Sequence, residues 1–164
     1  MKNIIFKFLM LCAVLNLWAC TKGKELVSLN GATYTVTGAA DATQMVPTTG
    51  VSATGNFNGW YDEQVNVLTF TLSWTDIFTG TPADPITSVK FYGPAPVGTN
   101  GALIKTVSFS NGNASGSVNL GLGGYAELSA TEKNTLLTGN CYYQICTQKF
   151  PQGLIRGQLK SVKN

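Results

Sequence analysis

The side chains of this sequence that could act as an acid, a base or a nucleophile do not include histidine. The 164 residues include no histidine and four cysteines. Histidine is the commonest general base and a preferred metal ligand, so its absence excludes a Ser-His-Asp triad, a Cys-His dyad and a histidine zinc site. The chemistry left to consider involves thiols, an arginine near the C-terminus and a pair of aromatic rings.

Cys141 and Cys146 are the thiols of the C-terminal region. Five residues of strand span about 16 Å, and the odd offset places the two side chains on opposite faces. A disulfide needs Cα atoms within about 7 Å, so a bridge would require an irregular strand. We therefore expect two small core or surface thiols. The alternatives are a disulfide formed in an oxidising envelope and a catalytic thiol, which would need Lys90 beside Cys146 to lower its pKa.

Arg156 and Gln158 fall on one face of the last predicted strand, with Ile155 and Leu159 on the other. Arginine offers five donors in a fixed geometry, which suits it to hold loops through their carbonyl groups. We therefore expect a structural role for Arg156, with a polar contact to a ligand as the alternative. Gly157 between the two polar residues indicates a bulge or the close approach of another backbone.

Trp60 and Tyr61 follow an Asn58-Gly59 pair, which is typical of a hairpin turn. Exposed aromatic rings beside carboxylates can bind sugars. More often such rings cover the end of a sandwich core. Glycan contact through Trp60 and Tyr61 therefore stays as an alternative function.

Short strands must position these residues. In the segment 65–74, apolar residues at positions 68, 70, 72 and 74 alternate with threonine and serine, which indicates a strand with one buried face. Gly, Asn, Pro and Asp clusters separate the other candidates. The pattern predicts an all-β antiparallel sandwich. The other predicted strands are 33–37, 51–57, 86–92, 103–109, 114–120, 141–147 and 154–162.

Turn and helix signals lie between these strands. The pairs Asn58-Gly59 and Asn111-Gly112 predict hairpin turns. Ser129 and Glu132 have the spacing of a capping box, which predicts one short helix that runs to Leu137 and is closed by Gly139.

The first 20 residues read as a targeting segment rather than as part of the fold. Lys2 and Lys7 give a positive start, and the apolar stretch is too short to span a bilayer but suits a secretory signal peptide. It ends in Leu17-Trp18-Ala19-Cys20, which resembles a bacterial lipobox. We therefore predict a lipoprotein signal peptide over 1–19, a lipidated Cys20 with a tether over 20–29, and one domain over 30–164.

Lipidation of Cys20 would make the lipid bilayer a partner, because two or more acyl chains anchor a protein stably. The predicted location is the bacterial cell envelope, with the outer membrane favoured and its periplasmic or surface face left open. The alternative is an ordinary signal peptide in which Cys20 is incidental.

The charge balance argues against a nucleic-acid partner. There are 11 basic and 8 acidic residues, giving a net charge of +3 and a charged fraction of 12%. No basic stripe is present. Two of the lysines belong to the signal peptide, so the mature side chains are close to neutral.

Motifs along the predicted domain resemble those of the chordin-repeat (CHRD) domain family. Residues 150–159 read Phe-Pro-Gln-Gly-Leu-Ile-Arg-Gly-Gln-Leu, which is similar to the family's Pro-x-Gly-Glu-Ile-Arg-Gly-Gln-Leu. Residues 142–147 read Tyr-Tyr-Gln-Ile-Cys-Thr, against the family's Tyr-Val-Asn-Val-His-Thr. Upstream, residues 90–95 read Lys-Phe-Tyr-Gly-Pro-Ala and resemble His-Ile-His-Gly-Pro-Ala. The resemblance covers about residues 30 to 162.

The resemblance implies an immunoglobulin-like Greek-key sandwich with limited similarity to copper-zinc superoxide dismutases. In chordin such repeats accompany growth-factor-binding modules, and in bacteria they occur in secreted and envelope proteins. This sequence has Lys90, Tyr92 and Cys146 where the family has histidine. An ammonium, a phenol and a thiol make a poor divalent-metal site, so we expect no metal and no cofactor.

We expect a membrane-anchored, non-catalytic envelope lipoprotein with a CHRD-like binding or structural module. Its expected partners are the lipid bilayer and an envelope protein or glycan, without nucleic acid. One alternative is a superoxide-dismutase-like metal or redox protein, which the lack of histidine disfavours. The other is a glycan-binding module using Trp60 and Tyr61. The candidate ligand or structural residues are Lys90, Tyr92, Cys146, Arg156 and Gln158.

Overall fold

The computed structural model describes residues 31–78, 83–122 and 128–164. The predicted signal peptide (1–19), the lipidated Cys20 and the tether (20–29) lie outside the described residues. Within the described ranges, no helix combines the length and the apolar character needed to cross a bilayer.

The described residues form nine antiparallel strands, a 3₁₀ turn (Ala42–Gln44) and one α-helix, α1 (Ala130–Leu137). Hydrogen bonding joins the strands in the order β5-β4-β7-β8-β1-β2-β3-β6, and β9 pairs with β1. The strands are β1 (Thr33–Asp41), β2 (Thr54–Asp62), β3 (Val67–Thr75), β4 (Ile86–Tyr92), β5 (Leu103–Asn111), β6 (Gly116–Leu122), β7 (Tyr142–Thr147), β8 (Ile155–Gln158) and β9 (Lys160–Lys163).

The sheet folds into two halves, one formed by β5, β4, β7 and β8 and the other by β9, β1, β2, β3 and β6. Aromatic rings hold these halves face to face. Phe57 of β2 stacks on Phe70 of β3 with ring centroids 4.5 Å apart. The same ring lies 6.0 Å from Phe91 of β4 and 5.3 Å from Tyr143 of β7, which belong to the other half. The chain crosses between the halves after β3, β5, β6 and β8, which gives the sandwich a Greek-key connectivity. The predicted antiparallel β-sandwich with one short helix is confirmed.

Alternation along the strands decides which side chains enter the core. On β3, Leu68, Phe70, Leu72 and Trp74 are buried, whereas the threonines between them are exposed. Such a period of two is the expected result for a strand with one face on the core.

The predicted hairpin turn at Asn58-Gly59 is wrong, because both residues lie inside β2 and pair with β1 and β3. A Cβ on Gly59 would lie 2.7 Å from Cε1 of the Phe57 ring. The glycine therefore makes room for a core ring. The turn that joins β2 to β3 follows Asp62, whose Oδ1 accepts a hydrogen bond of 2.9 Å from the backbone N–H of Gln64.

Three other predicted elements are corrected. The pair Asn111-Gly112 ends β5 without forming a hairpin, because β5 pairs with β4 and β6 pairs with β3. The predicted strand 154–162 is two strands, separated at Leu159, whose N–H donates to the carbonyl of Cys141 at 2.8 Å. The predicted strand 51–57 lies further along the chain as β2.

The predicted helix is confirmed as α1. The Ser129 hydroxyl accepts from the N–H of Glu132 (3.3 Å), and the Glu132 carboxylate accepts from the N–H of Ser129 (2.7 Å). These reciprocal bonds form a capping box. Beyond the helix, Gly139 has φ +75°, a conformation that glycine adopts without steric cost.

Candidate functional site

Strand pairing brings the predicted C-terminal and upstream motifs onto one outer face of the sandwich. Lys90 pairs with Gln144, and Tyr92 pairs with Tyr142 across β4 and β7. Gln144 also pairs with Arg156 on β8. Because side chains alternate along a strand, every second residue shares this face. We call it the signature face, and its members are Lys90, Tyr92, Tyr142, Gln144, Cys146, Arg156 and Gln158.

Arg156 is buried within the signature face, with a relative exposure of 1%. Its guanidinium carbon lies 3.5 Å from the centroid of the Tyr142 ring. Nη2 donates to the Pro96 carbonyl at 3.5 Å and to the Gln158 Oε1 at 3.3 Å. Nη1 is buried with no hydrogen-bond partner among the described residues. Stacking on the Tyr142 ring is therefore a main stabilising contact of this cation, and burial lowers the pKa of the Arg156 guanidinium.

Tyr142 lies in the middle of a stacked ladder. Its ring is 5.2 Å from that of Tyr92 with an interplanar angle of 10°, and β7 runs between β4 and β8. The ring is therefore enclosed by Tyr92 on one side and Arg156 on the other. Its hydroxyl accepts a hydrogen bond of 3.1 Å from the N–H of Gly101, so the loop after β4 covers the ladder.

The Gly-Pro-Ala segment after β4 interlocks with the Arg-Gly-Gln segment of β8. The Gln158 side-chain amide donates to the carbonyls of Ala95 (3.0 Å) and Gly139 (2.8 Å). A Cβ on Gly157 would lie 2.5 Å from Cε1 of the Tyr143 ring and 2.7 Å from the Ala39 carbonyl oxygen. A side chain at this position would require its neighbours to shift, so the packing requires glycine at position 157.

The three positions where the family pattern has histidine also lie on the signature face, where Lys90 is hydrogen-bonded and Cys146 is buried. The Lys90 ammonium donates to the Pro151 carbonyl at 2.7 Å. Burial raises the pKa of the Cys146 thiol, and the opposing effects of Lys90 and Ser88 are smaller. Burial also raises the pKa of Tyr92, with Cys146 and Tyr142 adding to the effect.

This donor set does not fit a metal ion. A thiol binds metal as the thiolate, and burial, which raises the pKa of Cys146, disfavours that form. Lysine carries its charge as a cation and offers no lone pair while protonated. Among residues 31–78, 83–122 and 128–164, no group of three or more Cys, Asp or Glu side chains is placed to hold a metal.

A cleft of about 550 Å³ lies against the signature face. Its floor includes Tyr92, Tyr142 and Gln144, and loops around residues 45–49 and 150–153 form its walls. The Asn100 amide donates to the Val46 carbonyl at 3.0 Å and ties two of the covering loops together. Tyr142 and Gln144 belong to the 142–147 motif but are not among the site residues that the sequence predicts. Their alternation with Cys146 along β7 is the signal that identifies them.

A family model for the CHRD domain matches residues 32–159. The chain belongs to the CHRD domain family. The match runs from the start of β1 to Leu159, so it covers β1 to β8 and the whole signature face. Neither a curated protein nor a solved structure shows significant similarity to the chain.

The second thiol of the CHRD domain belongs to Cys141, which directly precedes β7. Cys141 is buried beside Leu136 and Phe91, and burial raises its pKa to about 12. Both Cys141 and Cys146 are free and buried, as the spacing predicted, and they form no disulfide with each other.

Trp60 and Tyr61 of the CHRD domain lie inside β2, before the turn that follows Asp62, and point in opposite directions from the strand. Tyr61 as a glycan contact is wrong, because the alternation of β2 places it in the core with 0% exposure. Its hydroxyl donates to Asn66 Oδ1 at 2.8 Å, and burial raises the pKa of Tyr61 to about 12. Trp60 keeps 49% exposure on the outer surface.

Proposed function

We propose that the chain is a non-catalytic binding module held at the bacterial envelope membrane by a lipidated Cys20. The observation that supports a non-catalytic role is that Arg156 and Lys90 contact other parts of the protein and that the Cys146 thiol is buried. Arg156 stacks on Tyr142 and bonds to the Pro96 carbonyl. Lys90 bonds to the Pro151 carbonyl, and the Cys146 thiol is buried.

Catalysis would require these groups to be accessible to a substrate and the thiol to have a lowered pKa. A nucleophilic cysteine requires a lowered pKa and access to its substrate, whereas burial raises the pKa of Cys146. An arginine that binds a reacting group must reach it, whereas Arg156 is 1% exposed beneath the Pro96 loop. The signature residues therefore serve to hold loops and strands together.

The anchor rests on the sequence of the first 20 residues. A positive start, a short apolar stretch and Leu-Trp-Ala-Cys at positions 17–20 are typical of a lipoprotein signal. Acylation of the new N-terminal cysteine would attach the CHRD domain to the bilayer through the tether 20–29.

The structural role of the signature face is tested by Arg156→Ala, with Lys160→Ala on the exposed start of β9 as the matched control. Removing the buried cation loses its stacking on Tyr142, which is worth about 2 kcal/mol when desolvated. We expect the melting temperature to fall by roughly 5–10 °C, and that of the control to stay within about 2 °C. An unchanged melting temperature for Arg156→Ala would contradict the structural role and favour a ligand contact.

The anchor is tested by metabolic labelling of the full chain with a radioactive fatty acid. Cys20→Ser should lose the label and leave the membrane fraction. Cys12→Ser changes a second cysteine of the same segment and should keep both the label and the membrane location. A labelled Cys20→Ser chain would refute the assignment of the acylated residue.

A further inference from the structure

The outer face of β1, β2, β3 and β6 differs from the signature face because its groove is lined by strand residues and by no residue of a described loop. On β2 the outward positions from Thr54 to Trp60 carry threonine, asparagine and the indole ring, and on β3 those from Thr69 to Thr75 carry threonine and serine. We call this surface the Trp60 face. A shallow groove of about 820 Å³ crosses it, and its polar lining includes Thr35, Asn58, Thr69, Thr71 and Asn119.

The register places Trp60 at the centre of this groove. Trp60 pairs with Thr35 on β1 and with Thr69 on β3, and the same row continues to Val162 on β9 and Gly121 on β6. Strands lie about 4.8 Å apart, so the five-strand row is roughly 19 Å long. The row is long enough for an extended chain molecule to follow.

The groove offers hydrogen-bonding groups without charge. The side chains of Asn58 and Thr69 make no hydrogen bond with any other described residue. Asn119 accepts from the Thr71 hydroxyl through Oδ1 at 2.7 Å, which orients its amide and leaves the two N–H donors for a ligand. No Asp, Glu, Lys or Arg side chain lines the groove.

An exposed indole beside the free Thr69 hydroxyl and the amides of Asn58 and Asn119 suits one ligand chemistry. Tryptophan presents a large apolar ring face, and its burial releases that surface from water. A pyranose ring has an apolar C–H face and hydroxyl groups around its rim. The absence of charge in the groove matches a neutral ligand and offers nothing to an acidic or basic one.

We propose that the Trp60 face binds a neutral polysaccharide, with one sugar ring stacked on Trp60 and neighbouring hydroxyls bonded to Asn58, Thr69 and Asn119. This inference rests on the proposed binding function and names its ligand class and its surface. Tyr61, on the opposite side of β2, takes no part in it.

The test uses the detergent-solubilised full-length chain and its retention on insoluble cellulose, curdlan and chitin, with alginic acid as the charged comparison. We expect wild type to be retained on at least one neutral polymer and Trp60→Ala to lose at least about tenfold in retention. Trp60→Phe, which keeps an aromatic ring, should recover part of it. Leu103→Ala removes an equally exposed apolar side chain from β5 and should have no effect.

A second variant tests the groove without removing the indole. Gly121 has open space around it, and the nearest heavy atom to an added Cβ is 3.7 Å away. Gly121→Gln should therefore fold normally, fill the groove beside Trp60 and lower retention. Failure of wild type to bind any neutral polymer, equal retention of Trp60→Ala, or salt-sensitive binding to alginic acid alone would each overturn the proposal.

These outcomes are distinguishable from those of the anchor experiment. A chain that is acylated on Cys20 but retained by none of the polymers would overturn the glycan inference and leave the membrane anchor standing. A chain that binds a neutral polymer through Trp60 without acylation would support the glycan inference and refute the anchor.

Discussion

Gln158 and Asn58 are both amides on outward-facing strand positions, and the molecule uses them in opposite ways. On the signature face, Gln158 donates to two backbone carbonyls and accepts from Arg156. On the Trp60 face, Asn58 is exposed and makes no side-chain hydrogen bond with any described residue. The family residue Gln158 is thus bonded within the fold, whereas the free amide of Asn58 lies on a surface without a motif.

Two glycine substitutions, one on a strand of each face, should show the largest difference in the free energy of unfolding. At Gly157 a Cβ would be forced against the Tyr143 ring and the Ala39 backbone, whereas at Gly121 it meets only ordinary contacts. We expect Gly157→Ala to lower the free energy of unfolding by about 3 kcal/mol and Gly121→Ala to change it by less than about 0.5 kcal/mol. Urea denaturation measures both, and equal effects would abolish the contrast.

Removing one side-chain amide from each face tests the same comparison. Gln158→Ala leaves the carbonyls of Ala95 and Gly139 without their donor, which should cost about 2 kcal/mol. Asn58→Ala removes an exposed amide and should cost less than about 0.5 kcal/mol. Thermal unfolding of the two variants checks this, and a stable Gln158→Ala protein would show that the interlock between the motifs is dispensable.

Thiol reactivity compares the accessibility of the faces. Cys146 is buried with a raised pKa, whereas a cysteine introduced as Thr71→Cys would be exposed on β3. We expect iodoacetamide to modify the introduced thiol at least about 100-fold faster than Cys146, because Cys146 reacts only after local opening. Mass spectrometry of the modified sites gives both rates. Comparable rates would mean that the loops over the signature face open readily.

The smallest expected effect is the loss of stability at low pH. Hydrogen bonds from Thr43 and Gln44 hold the pKa of Asp41 below its ordinary value of 3.8, and bonds from Ser129 hold that of Glu132 below 4.5. Since these folded-state values are depressed, their stabilisation is full above the unfolded values and is lost as pH falls through the folded ones. We expect the melting temperature to drop only below about pH 4.5. Polysaccharide retention should stay constant from about pH 5 to 8, since no ionisable group lines the groove.

Much of the fold could be predicted because its signals are local. The alternation along 65–74 and the Ser129/Glu132 capping box depend on neighbouring residues, and both are present in the structure. The Asn58-Gly59 pair misled because its glycine responds to a core contact with Phe57, which no local pattern reveals. The same error predicted Tyr61 at a turn, whereas Tyr61 belongs to β2 and its side chain lies in the core.

The site could be predicted only in part, because its assembly depends on strand register. The motifs named Lys90, Tyr92, Cys146 and Arg156, which pairing across β4, β7 and β8 brings onto one face. Their burial depends on loops after β4 and β7, whose positions the motif spacing does not encode. The Trp60 face likewise needs the pairing of β1, β3 and β6 around β2, since its polar residues are scattered along the sequence.

Two aromatic truncations measured side by side test the central claim that the signature face stabilises the fold and the Trp60 face is free. Tyr142 is 1% exposed between Tyr92 and Arg156, whereas Trp60 is 49% exposed. Urea unfolding should show that Tyr142→Ala loses about 3–5 kcal/mol and Trp60→Ala less than about 1 kcal/mol. A tolerated Tyr142→Ala, or a Trp60→Ala protein equally destabilised, would contradict the account.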